Sequence, residues 1–479
     1  MSLFRTALGG MAWTTTSTVI RSVVSLLQVS ILTSYLSKED FGVVAICNLF
    51  IGFSQIFLDM GISVGILHKQ DITKDQFSSL FWLNIFSGVL LTCILCCISP
   101  LVARAYNDPI LINLLILLSM TVLFSSIGAQ HRTVQQKLMR FKYISIIEIL
   151  TSLLTLVIAI VLVLHDYGIY ALIYSTMFSA LFGNMIFLLL GLYKDRNISF
   201  HFRIRDTFPF LRIGVFTIGS EVLNYFSREF DILIISATLG KESLGLYALC
   251  KKLIMALYGA INPILTKVLI PMLATLQDDI NRLRKVYYDL IETLALINYP
   301  IYVLVAIFAY GILKFLYGEQ YTDGMYVLTA LAIYYGSLTT GNPVGSLQTA
   351  TGRTDTGFYW NICRIIICVA AVFIGSLFSL EGVVICLYLF SLVSSPLAWC
   401  ITIKPLIGGN FWEFFMTTMK PFLLAIGLSF PFYYFGSKID NIFAIIIISF
   451  LYLILFVASI IVLFNNSYIV LKCKNAIKH

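Results

Sequence analysis

Five cations stand inside long apolar runs of this chain: Arg21, Arg228, Lys251, Lys252 and Arg364. A charge at the centre of a membrane span costs roughly 2.5–3.5 kcal/mol on insertion scales, so such residues face a wet cavity or a partner, not lipid. Their chemistry suits an anion. Arg offers a planar fork that grips phosphate in bidentate fashion, and Lys a compact point charge. A diphosphate entering hydrocarbon unaided faces a barrier of tens of kcal/mol on a Born estimate, which a cationic, hydrated cleft would largely remove. Three acids in the same runs, Asp59, Glu221 and Asp231, are candidates for charge pairing or for carrying a coupling ion. Adjacent residues lie about 100° apart on a helix, so Lys251 and Lys252 cannot share a face. One of them could pair with Asp231 while the other faces the cleft or reaches outward.

Polar seams accompany the charges. Thr14, Thr18, Arg21, Ser25 and Gln28 step by four, three, four and three, which places all five on one helical face. Glu221, Asn224, Arg228 and Asp231 form a second stripe. Tyr335, Thr339, Asn342, Ser346 and Thr349 form a third. Thr18, Gln28, Asn224, Tyr225, Asn342 and Ser346 are the expected polar lining. For Thr14, Thr18, Ser25, Thr339 and Ser346 the competing reading is plain interhelical hydrogen bonding. Tyr225, Tyr247, Tyr334, Tyr335 and Trp360 could stack on sugar rings, although packing is the commoner role for each.

The elements that position these residues are membrane helices. Of 479 residues, 59% are hydrophobic and 12% charged, about half the charge of a soluble domain, and mean hydropathy is +0.92. Apolar runs long enough to cross about 30 Å recur from end to end. We read fourteen spans, at 10–36, 41–67, 79–105, 110–130, 143–165, 168–193, 213–239, 243–270, 286–316, 322–350, 358–379, 381–403, 414–436 and 441–464. With that count, 22 of the 32 Lys and Arg residues fall on the face that carries both termini, 5 on the other face and 5 inside spans. The positive-inside rule then puts both termini in the cytoplasm of a multi-pass inner-membrane protein. The net charge of +8 is thus a topology signal and carries no suggestion of nucleic acid. The first span is too long for a secretory signal.

The longest loop, 194–212, divides the chain into a first lobe (1–193), a cytoplasmic linker, a second lobe (213–403) and a terminal helix pair with a tail (404–479). Residues 272–285, MLATLQDDINRLRK, look like a short amphipathic segment at the inner surface. The ten cysteines need no disulfides. Cys93, Cys96 and Cys97 resemble a metal spacing but lie at lipid depth without a histidine, so no metal is expected.

An internal repeat ties the lobes together. KEDFGVVAIC from Lys38 and KESLGLYALC from Lys241 share Lys, Glu, Gly, Ala and Cys in register. An even number of spans separates the copies, which implies a parallel repeat about an axis along the membrane normal. The fold expected is an all-α membrane protein: two six-helix lobes around a central cavity, plus two C-terminal helices.

The chain resembles the Wzx-type flippases of the multidrug/oligosaccharidyl-lipid/polysaccharide exporter superfamily, nearest the colanic-acid-type exporters. The resemblance rests on KEDFGVVAI (38–46), LDMGISVGILHKQDIT (58–73), LFWLN (80–84), LGKESLGLYAL (239–249), LIPMLATLQDD (269–279) and GNPVGSLQTATGRTD (341–355). It implies alternating access with a polyprenyl-diphosphate-linked oligosaccharide as cargo, carried to the outer leaflet for O-antigen, capsule or exopolysaccharide assembly. It also implies work alongside the polysaccharide assembly machinery, no cofactor, and coupling to an H+ or Na+ gradient. A multidrug or small-cation antiporter of the same superfamily is the alternative, but that cargo calls for an acidic cavity. A membrane glycan polymerase or ligase would need a sizeable outer loop, and no zincin pair, nucleophile elbow or phosphate loop is present.

Overall fold

The structure, a computed structural model, describes residues 2–69, 71–194, 199–277, 279–341, 343–436 and 441–464. Among the described residues every element is a helix. Large apolar side chains such as Phe86, Val157, Ile366, Phe430 and Val462 stand exposed along the helices. A soluble chain could not carry an apolar shell of that extent, so these exposed apolar faces are the lipid-facing ones. Eleven helices or helix pairs among the described residues are long and apolar enough to cross a bilayer, which makes this a multi-pass membrane protein.

The chain forms two compact units, residues 1–245 and 246–479. The first contains α1 (Ser2–Leu32), α2 (Lys38–Asp59), α3 (Ile62–His68), α4 (Lys74–Ala105), α5 (Ile110–Lys137), α6 (Phe141–Leu164), α7 (Tyr170–Lys194), α8 (Ile204–Thr238) and the opening of α9 (Gly240–Ala274). Capping boxes start α2, at Ser37 with Asp40, and α4, at Thr73 with Gln76. Each box satisfies backbone N–H groups that have no partner within the helix. α5 packs on α4 and α7, and α1 on α6, while α8 lies against α2, α3 and α4. The chain entering α8 is pinned to α4. Ser78 donates to the Ser199 carbonyl, Trp82 Nε1 donates to the same oxygen at 3.0 Å, and the Arg203 amide donates to Ser79 Oγ at 3.1 Å. α8 therefore begins inside the segment read as a linker.

The second unit holds the rest of α9, then α10 (Ile280–Ile307), α11 (Ala309–Tyr317), a 3-10 turn (Glu319–Gly324), α12 (Met325–Gly341), α13 (Pro343–Ala350), α14 (Thr354–Ser376), α15 (Leu380–Ala398), a π turn (Trp399–Ile403), α16 (Lys404–Ile407), α17 (Phe411–Gly436) and α18 (Ile442–Leu463). α10 is its centre, packed on α12 and α17. Ala295, Tyr299 and Val303 of α10 meet Phe422 and Ala425 of α17 and Tyr452 and Phe456 of α18 in one buried cluster. The Tyr452 hydroxyl, buried there, donates to the Ala425 carbonyl at 2.9 Å.

Two runs that hydropathy reads as continuous are broken. The 41–67 run splits at Met60 and Gly61, both left-handed, with φ of 46° and 68°. The 286–316 run splits at Phe308, and the 322–350 run opens with a 3-10 turn. Residues 272–285 do not form a separate amphipathic element. Residues 272–274 end α9, 275–277 form a turn and 280–285 start α10, where Asp279 accepts from the Arg282 amide at 3.1 Å.

Candidate functional site

In the first unit Arg21 joins a three-residue charge cluster. α1 lies along α6, and Glu148 sits in the second turn of α6, facing α1. Arg21 Nη1 donates to Glu148 Oε2 at 2.7 Å, and Arg132 Nη2, from the last turns of α5, donates to Oε1 at 2.5 Å. Ser17 Oγ adds a longer contact at 3.4 Å. The carboxylate is only 17% exposed, whereas both guanidinium side chains are 47% exposed. Two cations sharing one anion leave a net charge of +1. Because each Arg gives one N–H edge to Glu148, its remaining donors are available at a fixed position. Charge-assisted bonds of this kind hold geometry well.

The seam on α8 is open. Glu221, Asn224 and Arg228 are exposed and Asp231 is half-buried, its Oδ1 accepting from the Ile232 amide at 2.8 Å. Tyr225 is buried instead. Its hydroxyl donates to the Leu49 carbonyl at 2.6 Å and its ring packs beside Phe53. This polar residue knits α8 to α2. In the second unit Lys251 is buried, at 5% exposure, while Lys252 is exposed, the split that their 100° separation requires.

The other seam positions are engaged within the helices. The Thr18 hydroxyl donates to the Thr14 carbonyl at 2.9 Å. Gln28 is buried and reaches Ser175 of α7 at 3.4 Å. Asp59 accepts from both the hydroxyl and the amide of Ser63 across the break between α2 and α3, and Ser63 touches Thr133 at 3.0 Å. Ser346 is buried in α13. Asn342 lies outside the described residues.

Arg364 lines a cavity of about 320 Å³ inside the second unit, together with Trp360 and Tyr334. Asn361 and Gln348, which the sequence reading did not single out, complete its polar wall. Arg132 was also missed. The charge count placed it outside the membrane as a loop cation, and only the length of α5, continuing to Lys137, carries it onto the helical bundle.

Comparison with known proteins places these features in context. The family model described as "Polysaccharide biosynthesis protein" matches residues 31–325. The chain is 26% identical over 430 residues to the lipopolysaccharide biosynthesis protein WzxC of Escherichia coli (strain K12), covering 89% of this chain and 87% of that protein. It is 28% identical over 435 residues to the teichuronic acid biosynthesis protein TuaB of Bacillus subtilis (strain 168), covering 89% and 88%. Among solved structures it is similar to the lipid II flippase MurJ in an inward closed conformation, with a TM-score of 0.73 at 14% identity over 94% of this chain and 98% of that one. At that identity the likeness speaks for the fold.

Proposed function

Because the chain belongs to the polysaccharide biosynthesis protein family, we propose that it is a transporter that moves polyprenyl-diphosphate-linked oligosaccharide from the inner to the outer leaflet of a bacterial inner membrane. The observation that carries this reading is the Arg21–Glu148–Arg132 cluster, an excess cation held on a spanning bundle with two guanidinium edges exposed. Such a cluster suits a diphosphate, whose oxygens accept paired N–H groups. Arg228, Lys251 and Lys252 supply further positive charge, and Asp59, Glu221 or Asp231 carries the coupling proton or Na+. The chain crosses the membrane fourteen times, in two six-helix lobes and a C-terminal helix pair, with both termini in the cytoplasm, and alternating access presents the headgroup first to one side and then to the other. The names of its relatives, which include lipopolysaccharide and teichuronic acid biosynthesis proteins and a lipid II flippase, support a lipid-linked glycan as cargo. A cationic drug would meet repulsion at the same cluster.

The test is sidedness. In cells lacking the protein, lipid-linked repeat units should accumulate where only inner-face probes reach them, and the wild-type chain should restore export. The double variant Arg21→Ala, Arg132→Ala should be made and inserted normally yet fail to restore it. Full export by that variant would remove the cluster from the mechanism.

A further inference from the structure

We infer that residues 199–208, which lead from α7 into α8, dock on anionic phospholipid. Their aromatic side chains enter the boundary between headgroups and acyl chains, and Arg203 and Arg205 meet the anionic headgroups.

Position comes first. Trp82, Phe86, Leu90, Ile94 and Leu101 follow helical spacing along one face of α4, and the last four are exposed. An exposed apolar face on a spanning helix is a lipid-facing one. Trp82 stands toward the Lys74 end of that face, and tryptophan is enriched at the membrane–water interface. Phe200 stacks beside it with ring centroids 5.7 Å apart, and Trp82 Nε1 donates to the Ser199 carbonyl at 3.0 Å. The segment therefore runs on the lipid side of the first unit, at the end where α4 begins.

Its polar groups suit that place. Beside lipid, a backbone group without a partner is costly. Here α4 supplies the partners. Ser78 Oγ donates to the Ser199 carbonyl and accepts from its amide, and Ser79 Oγ accepts from the Arg203 amide. The one acid of the segment, Asp206, is turned toward α4, accepting from Ser79 Oγ at 3.2 Å and lying 3.0 Å from His201 Nε2. Facing outward are Phe200, Phe202, Ile204 and Phe208, between 51% and 97% exposed, with Arg203 and Arg205 exposed among them. Neither guanidinium forms an ion pair among the described residues. So large an apolar patch is a liability in water. A neutral lipid would leave both cations unmatched, and a water-soluble anion would leave the rings uncovered. An anionic phospholipid answers both.

Trp82 reports on the site. The full-length protein is placed in nanodiscs of phosphatidylcholine with brominated phosphatidylglycerol, and of phosphatidylglycerol with brominated phosphatidylcholine. Trp82 emission is the difference between wild type and Trp82→Phe. Competition should favour phosphatidylglycerol by about 25-fold, roughly fivefold for each arginine. Arg203→Gln and Arg205→Gln should each lower the preference about fivefold. The double variant should abolish it, while brominated phosphatidylcholine still quenches. Should Trp82→Phe fail to fold, hydrogen exchange of peptides spanning 199–208 serves instead: slower in phosphatidylglycerol than in phosphatidylcholine for wild type, and alike in the two lipids for the double variant. Equal quenching by the two lipids, or equal exchange in wild type, overturns the proposal, as does a preference that survives in the double variant. Trp82 emission untouched by either brominated lipid overturns it too, since the segment would then face water, cargo or a second copy of the chain.

Discussion

Gly42 of α2 and Gly245 of α9 face each other at a backbone crossing where neither helix leaves room for a side chain. A Cβ on Gly42 would overlap the Lys241 carbonyl oxygen, and a Cβ on Gly245 would overlap that of Lys38. The flanking charges are exchanged in the same reciprocal way, with Lys38 Nζ 3.9 Å from Glu242 and Lys241 Nζ 3.8 Å from Glu39. Residue i meeting j′ while i′ meets j is the signature of a local two-fold contact. The repeated motif KE-x-x-G thus packs against its own copy. Gly42→Ala and Gly245→Ala should each lower the unfolding midpoint of the purified protein, by an overpacking cost of roughly 1–3 kcal/mol and to similar extents. Gly219→Ala, where a Cβ meets nothing within 4 Å, is the control that should leave it unchanged. A normal midpoint for both test variants would mean that the crossing is not tight.

The same contact contains one ion pair that should matter and one that should not. Lys241 Nζ lies 2.6 Å from Asp108 Oδ2, and the two side chains are only 18% and 17% exposed. Its other acidic neighbour, Glu39, is 63% exposed. Removing one partner of a shielded pair strands the other, whereas exposed pairs contribute at most about 1 kcal/mol. Asp108→Asn should therefore destabilise the protein clearly more than Glu39→Gln in parallel thermal melts at moderate salt. Equal effects would show that solvent screens both pairs alike.

Hydropathy carried most of the helical architecture, because a 20-residue apolar run has one inexpensive conformation in a bilayer. It could not show where a run breaks. Met60 adopts a left-handed backbone that its residue type does not announce, and Phe308 ends α10 in an unbroken apolar stretch. Seam periodicity was legible, but the partner that each polar residue finds was not. Tyr225, next to the α8 stripe, turns to Leu49, where Gly52, one turn on, leaves a slot that its ring fills. Arg364 and Trp360, four residues apart on α14, could be read as one face, but the Gln348 that faces them comes from a different helix.

The break after α2 yields its own prediction. Gly61 has φ of 68°, and a Cβ there would overlap the Cα of Gly214 on α8, so substitution meets both backbone strain and a clash. Gly61→Ala should lower folded yield in membranes more than Gly65→Ala. In the latter case the nearest atoms, all of Phe210, lie at 3.1–3.2 Å, so a shift of a few tenths of an ångström would relieve the contact, against an overlap at 2.2 Å for Gly61. Comparable yields by fluorescence size-exclusion chromatography would argue against a rigid break.

The charge cluster gives the sharpest contrast, because its three members should not behave alike. Removing Arg21 or Arg132 lowers the net charge of the cluster from +1 to zero and weakens anion binding. Glu148→Gln raises it to +2 and frees the guanidinium edges that the carboxylate now holds at 2.7 and 2.5 Å. If Glu148 serves only to hold the helices together, all three substitutions should destabilise and impair the protein in the same direction. If the cluster presents cations to a diphosphate, Glu148→Gln should tighten binding of inorganic pyrophosphate in nanodiscs by several-fold, while Arg21→Ala weakens it by about tenfold or more, the loss of one charged hydrogen-bonding group. Tighter ground-state binding need not speed transport, since a headgroup held equally well at every stage gains nothing at the rate-limiting one. Glu148→Gln should therefore bind better and export more slowly, a split that a purely structural role would not produce. Weaker pyrophosphate binding in a stably folded Glu148→Gln protein would count against the anion-site reading.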